Sequence, residues 1–200
     1  MTVIGITGPT GAGKTTALGE LARLGAVVID CDALYHEILK SDIALQRELT
    51  DAFGDLSDGQ GGLDRKKLGA VVFRAPAALS RLDGIVRPYI LRGVQGEIDR
   101  ARGAGRPAAV DGITIVETGI ADLCDVTVAV LAPVEDRVRR ICLREGIDES
   151  YARARVTAQK PDEFYRSRCD YVLYNDCETA EDFARQAEGL FSRLLAQTDD

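Results

Sequence analysis

The stretch Gly8-Pro9-Thr10-Gly11-Ala12-Gly13-Lys14-Thr15 matches G-x-x-x-x-G-K-[ST], and its flanks constrain the fold. Before it, Thr2–Thr7 is an uncharged, β-branched run, which predicts a strand buried on both faces at the centre of a parallel sheet. After it, residues 14–23 (KTTALGELAR) have helical composition, Gly25 ends them, and Ala26–Asp30 (AVVID) predicts a second short strand. Strand, glycine turn, helix and strand make a β-loop-α-β unit. Glycines let successive backbone N–H groups converge on one concavity at a helix N-terminus, where phosphate oxygens bind. Lys14 adds a positive charge at the outer phosphates of a nucleotide, and the Thr15 hydroxyl is placed to ligate Mg²⁺.

Residues 32–103 change character. Amphipathic patterns over 33–40, 43–53, 64–73, 76–87 and 88–101, broken by Gly and Pro, predict a helical insertion with almost no strand. The sheet resumes with predicted strands at Ala108–Glu117 and Val126–Leu131. Pro133 opens an arginine-rich helix, Tyr171–Tyr174 is a last strand, and residues 178–195 close the chain as a helix with Phe183, Ala187, Leu190 and Leu194 on one face. The expected class is α/β: a P-loop NTPase-type parallel β-sheet flanked by helices, with a helical substrate-binding insertion and an arginine-rich helical lid. The 200 residues suffice for one well-buried core with an insertion. We place the core at 1–32, 106–136 and 169–200, the insertion at 33–105 and the lid at 137–168.

A net charge of −7 argues against wrapping nucleic acid, whose affinity comes from basic surface that releases counterions. No apolar run reaches the length of a membrane span, and no charged n-region leads into an apolar h-region at Met1. Five cysteines (Cys31, Cys124, Cys142, Cys169, Cys177), odd in number and without a C-x-x-C pair, read as small hydrophobes in a reducing cytoplasm. The lone His36 reads as a helix residue. Between Arg137 and Arg168 lie eight arginines and Lys160. Most read as a solvated helix face paired with Glu145, Asp148 and Glu149, and two or three as clamps for phosphates.

A phosphate loop alone does not separate a kinase from a switch or a motor. The second strand ends in Asp30-Cys31-Asp32, and strand carboxyl ends face the ligand in a parallel sheet. Asp32 can accept the proton of an attacking hydroxyl or cap the next helix; Asp30 reads as structural or as a water-mediated Mg²⁺ ligand.

At these residues the chain resembles a known family, the dephospho-coenzyme A kinases. IGITGPTGAGKTTALGELARLGAVVIDCD resembles the family's start; AFGDL, GGLDRKKLGAVVF and LDGIVRPYI resemble its coenzyme A-domain signatures. ETGIADLCDVTVAVLAP, RRICLREGIDESYARARVTAQKPDE and CDYVLYND are similar to its later strands and lid, so the likeness covers nearly the whole chain. Three positions depart from it. Arg87 stands where the family usually has His before Pro88, Ile113 replaces a proline, and Tyr165 sits where lysine is common.

The resemblance implies ATP and Mg²⁺ as cofactors and dephospho-coenzyme A as the small-molecule partner, in a monomer or small homo-oligomer. It gives Gly11, Ala12, Gly13, Lys14, Thr15 and Thr16 to the ATP phosphates, Thr15 to the metal, and Arg140 and Arg144 to the lid over the phosphates. Asn175 falls near the adenine, though a turn-forming Asn fits its spacing as well. Asp32, Lys14 and Arg140 take the catalytic roles, and Asp32, Arg87 and Glu117 the acceptor. Two other readings share the motif. One is a P-loop kinase for a nucleoside or sugar acid; the other is a GTP-dependent switch, for which Asp58-Gly59-Gln60-Gly61 offers D-x-x-G but no N-K-x-D occurs.

Overall fold

The computed structural model describes residues 1–59 and 62–197. Five strands, β1 (Val3–Thr7), β2 (Val27–Asp30), β3 (Ala108–Asp111), β4 (Val126–Leu131) and β5 (Tyr171–Tyr174), pair in parallel in the order β2-β3-β1-β4-β5. Every residue of β1 is buried, as its central place requires. Ile6 stands opposite Asp111 of β3 and Val128 of β4, and Asp30 of β2 opposite Asp111.

The helices are α1 (Lys14–Arg23), α2 (Cys31–Ser41), α3 (Ile43–Phe53), α4 (Arg65–Val72), α5 (Pro76–Gly103), α6 (Ile115–Thr118), α7 (Val134–Glu145), α8 (Glu149–Thr157), α9 (Asp162–Arg166) and α10 (Ala180–Ala196). The chain divides into two compact units, residues 1–30 with 97–200, and residues 31–96.

The first unit holds the sheet. Ile4, Ile6, Val128 and Val130 pack with Leu18 and Leu21 of α1 and with Phe183, Leu190 and Phe191 of α10. Ala129 and Leu131 pack with Tyr165 of α9, and α7 meets α8 through Val138, Ile141, Ala152 and Val156. The second unit has a core of its own, in which Leu39, Leu45, Leu49, Leu68, Val72, Leu82, Val86 and Tyr89 meet. Asp42 caps α3 by accepting from Leu45 N at 2.9 Å, and Asp64 caps α4 by accepting from Lys66 N at 2.8 Å.

Two predicted elements differ. Sequence patterns break the fourth and fifth helices of the insertion at Pro88, yet α5 runs through it. Proline removes one backbone bond, but Leu82, Val86 and Tyr89 keep one apolar face buried across it, and that packing outweighs the loss. The strand expected at Ala108–Glu117 stops at Asp111. Pairing ends where Gly112 N donates to Ile6 O at 3.2 Å, and the apolar run Ile113–Val116 then winds into α6, closed by Gly119 at φ 77°. Short apolar runs fit either period. Gln60 and Gly61 of the D-x-x-G stretch lie outside the described residues, and Asp58 accepts from Gly62 N at 2.9 Å in a polar turn. Among the described residues no helix is long and apolar enough to cross a membrane.

Candidate functional site

The loop between β1 and α1 takes a shape that calls for glycine at three of its positions, Gly8, Gly11 and Gly13. Gly8 has φ 132°, and a side chain there would collide with the Val130 carbonyl. Gly13, at φ 110°, is the N-cap of α1 and lies against the Asn175 amide and the Phe183 ring.

Side chains hold the loop's carbonyls. Lys14 Nζ donates to Gly8 O at 2.8 Å, Arg137 Nε to Thr10 O at 3.1 Å, and Arg140 Nη1 to Gly11 O and Ala12 O at 3.3 and 3.4 Å. Asn175 Nδ2 donates to Ala12 O at 2.9 Å. In a planar trans peptide the N–H of the next residue points opposite to the carbonyl. Fixing the carbonyls of Thr10 and Ala12 therefore directs the N–H groups of Gly11 and Gly13 to the other side, while Ala12 N turns to Pro9 O at 3.3 Å. The N-terminus of α1 adds its positive dipole end there. This is a preformed anion cradle.

The structure thus brings together Gly11, Ala12, Gly13, Lys14, Arg140 and Asn175, with Thr15 exposed and Thr16 half-buried on the first turn of α1. Asn175, which the resemblance puts near the adenine, also touches the loop. It is buried, its backbone N–H extends β5 by donating to Leu131 O at 2.7 Å, and its side chain holds the loop while receiving Arg140 Nη2 at 3.3 Å. Arg144 is exposed in the last turn of α7 and paired with Glu145 at 2.6 Å.

Sequence reasoning missed Arg137 and Gln159. Arg137, grouped with the solvated arginines, is only 3% exposed, and besides Thr10 O it reaches Gln159 Oε1 at 2.8 Å. Burial pulls its guanidinium below the ordinary value, opposed by Asp162 and Tyr165, and arginine stays charged regardless. The helix-face reading does suit its neighbours: Arg139 pairs with Asp136, Arg153 with Glu135 and Glu149, and Arg155 with Glu145. Asp148 instead caps α8, accepting from Tyr151 N at 3.0 Å.

Glu117 is exposed on α6 and acts electrostatically on Tyr165. Burial first, then Glu117, pushes the Tyr165 phenol up to about 12, with Arg137 pulling the other way. Asp30 and Asp111 end neighbouring strands as register partners and so project from the same face. Their carboxylates, like the Thr15 hydroxyl, are hard oxygen donors of the kind Mg²⁺ takes. Asp111 was not legible as a site residue because its partner lies 81 positions earlier. In the helical unit Asp32 is exposed in the first turn of α2, and Arg87 is exposed on α5. His36 lies on α2, where its Nε2 is 2.8 Å from Arg65 Nη2.

The family described as Dephospho-CoA kinase matches residues 2–181. A Dephospho-CoA kinase of Corynebacterium diphtheriae is 35% identical over 201 residues, covering 100% of both chains. A protein of known structure from Thermus thermophilus is similar at a TM-score of 0.76 and 31% identity, over 98% of this chain and 97% of its own. The Dephospho-CoA kinase from Campylobacter jejuni, at 20% identity, has the same fold with a TM-score of 0.63 over 96% of each chain. With a family match from the second residue to the last helix, and a relative aligned end to end, the chain belongs to the dephospho-CoA kinase family.

Proposed function

We propose that this chain transfers the γ-phosphate of ATP to the ribose 3′-hydroxyl of dephospho-coenzyme A, releasing coenzyme A and ADP. The observation that carries the reading is the loop at residues 8–15, whose carbonyls are held by Lys14, Arg137, Arg140 and Asn175 in a chain of this family. Phosphoryl transfer asks the protein mainly to position groups and to neutralise charge on the equatorial oxygens. The N–H groups of the loop and Lys14 hold the β- and γ-phosphates. Arg140, whose bonds to Gly11 O and Ala12 O are long, exchanges them for the stronger charge-assisted bonds of a triphosphate. Arg144, in the last turn of α7, joins Arg140 over the phosphates, and Asn175 serves the loop. Mg²⁺ would be held by Thr15, Asp30 and Asp111, and would supply charge neutralisation to the triphosphate.

Asp32 accepts or orients the proton of the attacking hydroxyl, and Arg87 and Glu117 serve the acceptor. Arg87 in place of an imidazole can hold a phosphate but cannot act as an acid or base near neutral pH. The core, insertion and lid divide the work at the boundaries given above, and five free thiols suit a reducing cytoplasm.

ADP release with Mg-ATP, measured against dephospho-coenzyme A, nucleosides and gluconate, tests the assignment. Dephospho-coenzyme A is expected to give the highest kcat/KM, and Lys14→Ala to abolish nearly all turnover with the fold intact. A higher kcat/KM for a nucleoside or for gluconate would replace the acceptor.

A further inference from the structure

Thr10 is the one loop residue whose backbone N–H, backbone carbonyl and side chain are all held by the α7–α8 hairpin. Its N–H donates to Gln159 Oε1 at 3.1 Å, its hydroxyl accepts from Gln159 Nε2 at 3.0 Å, and its carbonyl accepts from Arg137 Nε at 3.1 Å. Arg137 Nη2 closes the ring by donating to the same Gln159 Oε1 at 2.8 Å. The orientation of the Gln159 amide follows from chemistry. Arginine and a backbone N–H can only donate, so the atom between them must be the carbonyl oxygen.

The two clamping residues come from the start and the finish of the hairpin's sequence and meet at Thr10. Arg137 lies in the first turn of α7, and Gln159 lies just past α8, where its own N–H donates to Val156 O at 3.3 Å. Val138, Ile141, Ala152 and Val156 pack the two helices together and so fix both ends at once. The carbonyl of Thr10 shares a peptide with Gly11 N–H, one of the groups aimed at the phosphates.

We propose that Gln159, acting with Arg137, is a positioning residue for nucleotide binding: it latches Thr10 to the hairpin and thereby preorganises the phosphate cradle. This rests on the nucleotide assignment above. Without the latch the loop must be ordered by the nucleotide itself, and that cost falls on ATP affinity, not on affinity for the acceptor.

The test is calorimetric binding of a non-hydrolysable ATP analogue with Mg²⁺ to the whole chain, together with KM for each substrate. Gln159→Leu keeps the shape and loses every polar contact; the analogue's Kd and the KM for ATP are expected to rise about 10- to 100-fold, with the KM for the acceptor unchanged. Gln159→Glu should restore affinity to within about threefold, because its carboxylate accepts from Thr10 N and from Arg137 while the Thr10 hydroxyl turns to donate. A purely structural glutamine would instead lower Tm in both variants and leave the Kd of the folded protein alone. Wild-type affinity in Gln159→Leu, or equal weakening in Leu and Glu variants, would overturn the latch while leaving the nucleotide assignment standing. Failure of the wild-type chain to bind would overturn both. Should Gln159→Leu not fold, Thr10→Val removes one bond of the ring from the loop side; a rise in Kd of about three- to tenfold supports the latch and no change rejects it.

Discussion

Asp32 stands in the first turn of α2, where a carboxylate does two separable things. It favours the helix through the dipole by about 0.3–1 kcal/mol, and under the proposed function it takes up the acceptor's proton. Asp32→Asn keeps shape and removes charge. It is expected to cut kcat by about 10²–10⁴-fold with ATP affinity unchanged, and a kcat within about threefold of wild type would leave only the helix role. Residue by residue, what could be read from the sequence was what acts locally. Gly8, Gly13 and Lys14 announce themselves because the loop's geometry is written in consecutive positions. Arg137 and Gln159 do not, since an arginine in an arginine-rich helix looks solvated until Thr10, 127 positions away, is found beside it. Asn175 shows the same limit, its position apparent and its task of holding Ala12 O hidden.

At the scale of the element, local chemistry fixes ends better than lengths. Thr179 caps α10 by accepting from Asp182 N at 3.1 Å, and its hydroxyl donates to the Asp182 carboxylate at 2.6 Å. This helix carries Phe183, Leu190 and Phe191 into the core beside α1. Thr179→Ala should lower stability by about 1 kcal/mol, seen in calorimetry as a Tm lower by about 2–4 °C, whereas Thr179→Asn should be silent. An equal loss in both would point to a contact other than the cap. The strands β1 and β4 and the helices α1 and α10 were legible because their apolar periods are long and bounded by turn residues. The end of β3 was not, because Ile113–Val116 has strand composition, and only the lack of a neighbour to pair with beyond Gly112 turns it into α6. The course of α5 through Pro88 likewise depends on the core it meets.

For the molecule as a whole, one buried and one half-buried acid set an alkaline limit. Burial, with Asp125 and Asp122 adding, raises the Cys124 thiol from 9.0 to about 12, and Tyr165 rises from 10.0 to about 12. Both are raised, so the native state keeps protons that the unfolded chain releases; their contribution is whole below about pH 9 and is lost as pH climbs toward 12. The urea midpoint should hold steady between pH 7 and 9 and then fall, less steeply in Cys124→Ala. A midpoint flat to pH 11, or an identical fall in the variant, would contradict this. The strand order has a consequence in time as well. β1 is flanked by β3 and β4, so the strand that carries the nucleotide loop has neither neighbour until the chain has grown past residue 108, nor both until it has passed residue 131. Arg137, Gln159 and Asn175 emerge from the ribosome later still. The helical unit, continuous over residues 31–96, can gather its own core in the meantime. The loop after β1 is therefore made well before the parts that render it competent, and β1 must wait as an unpaired apolar strand, the segment of a nascent chain most exposed to mispairing.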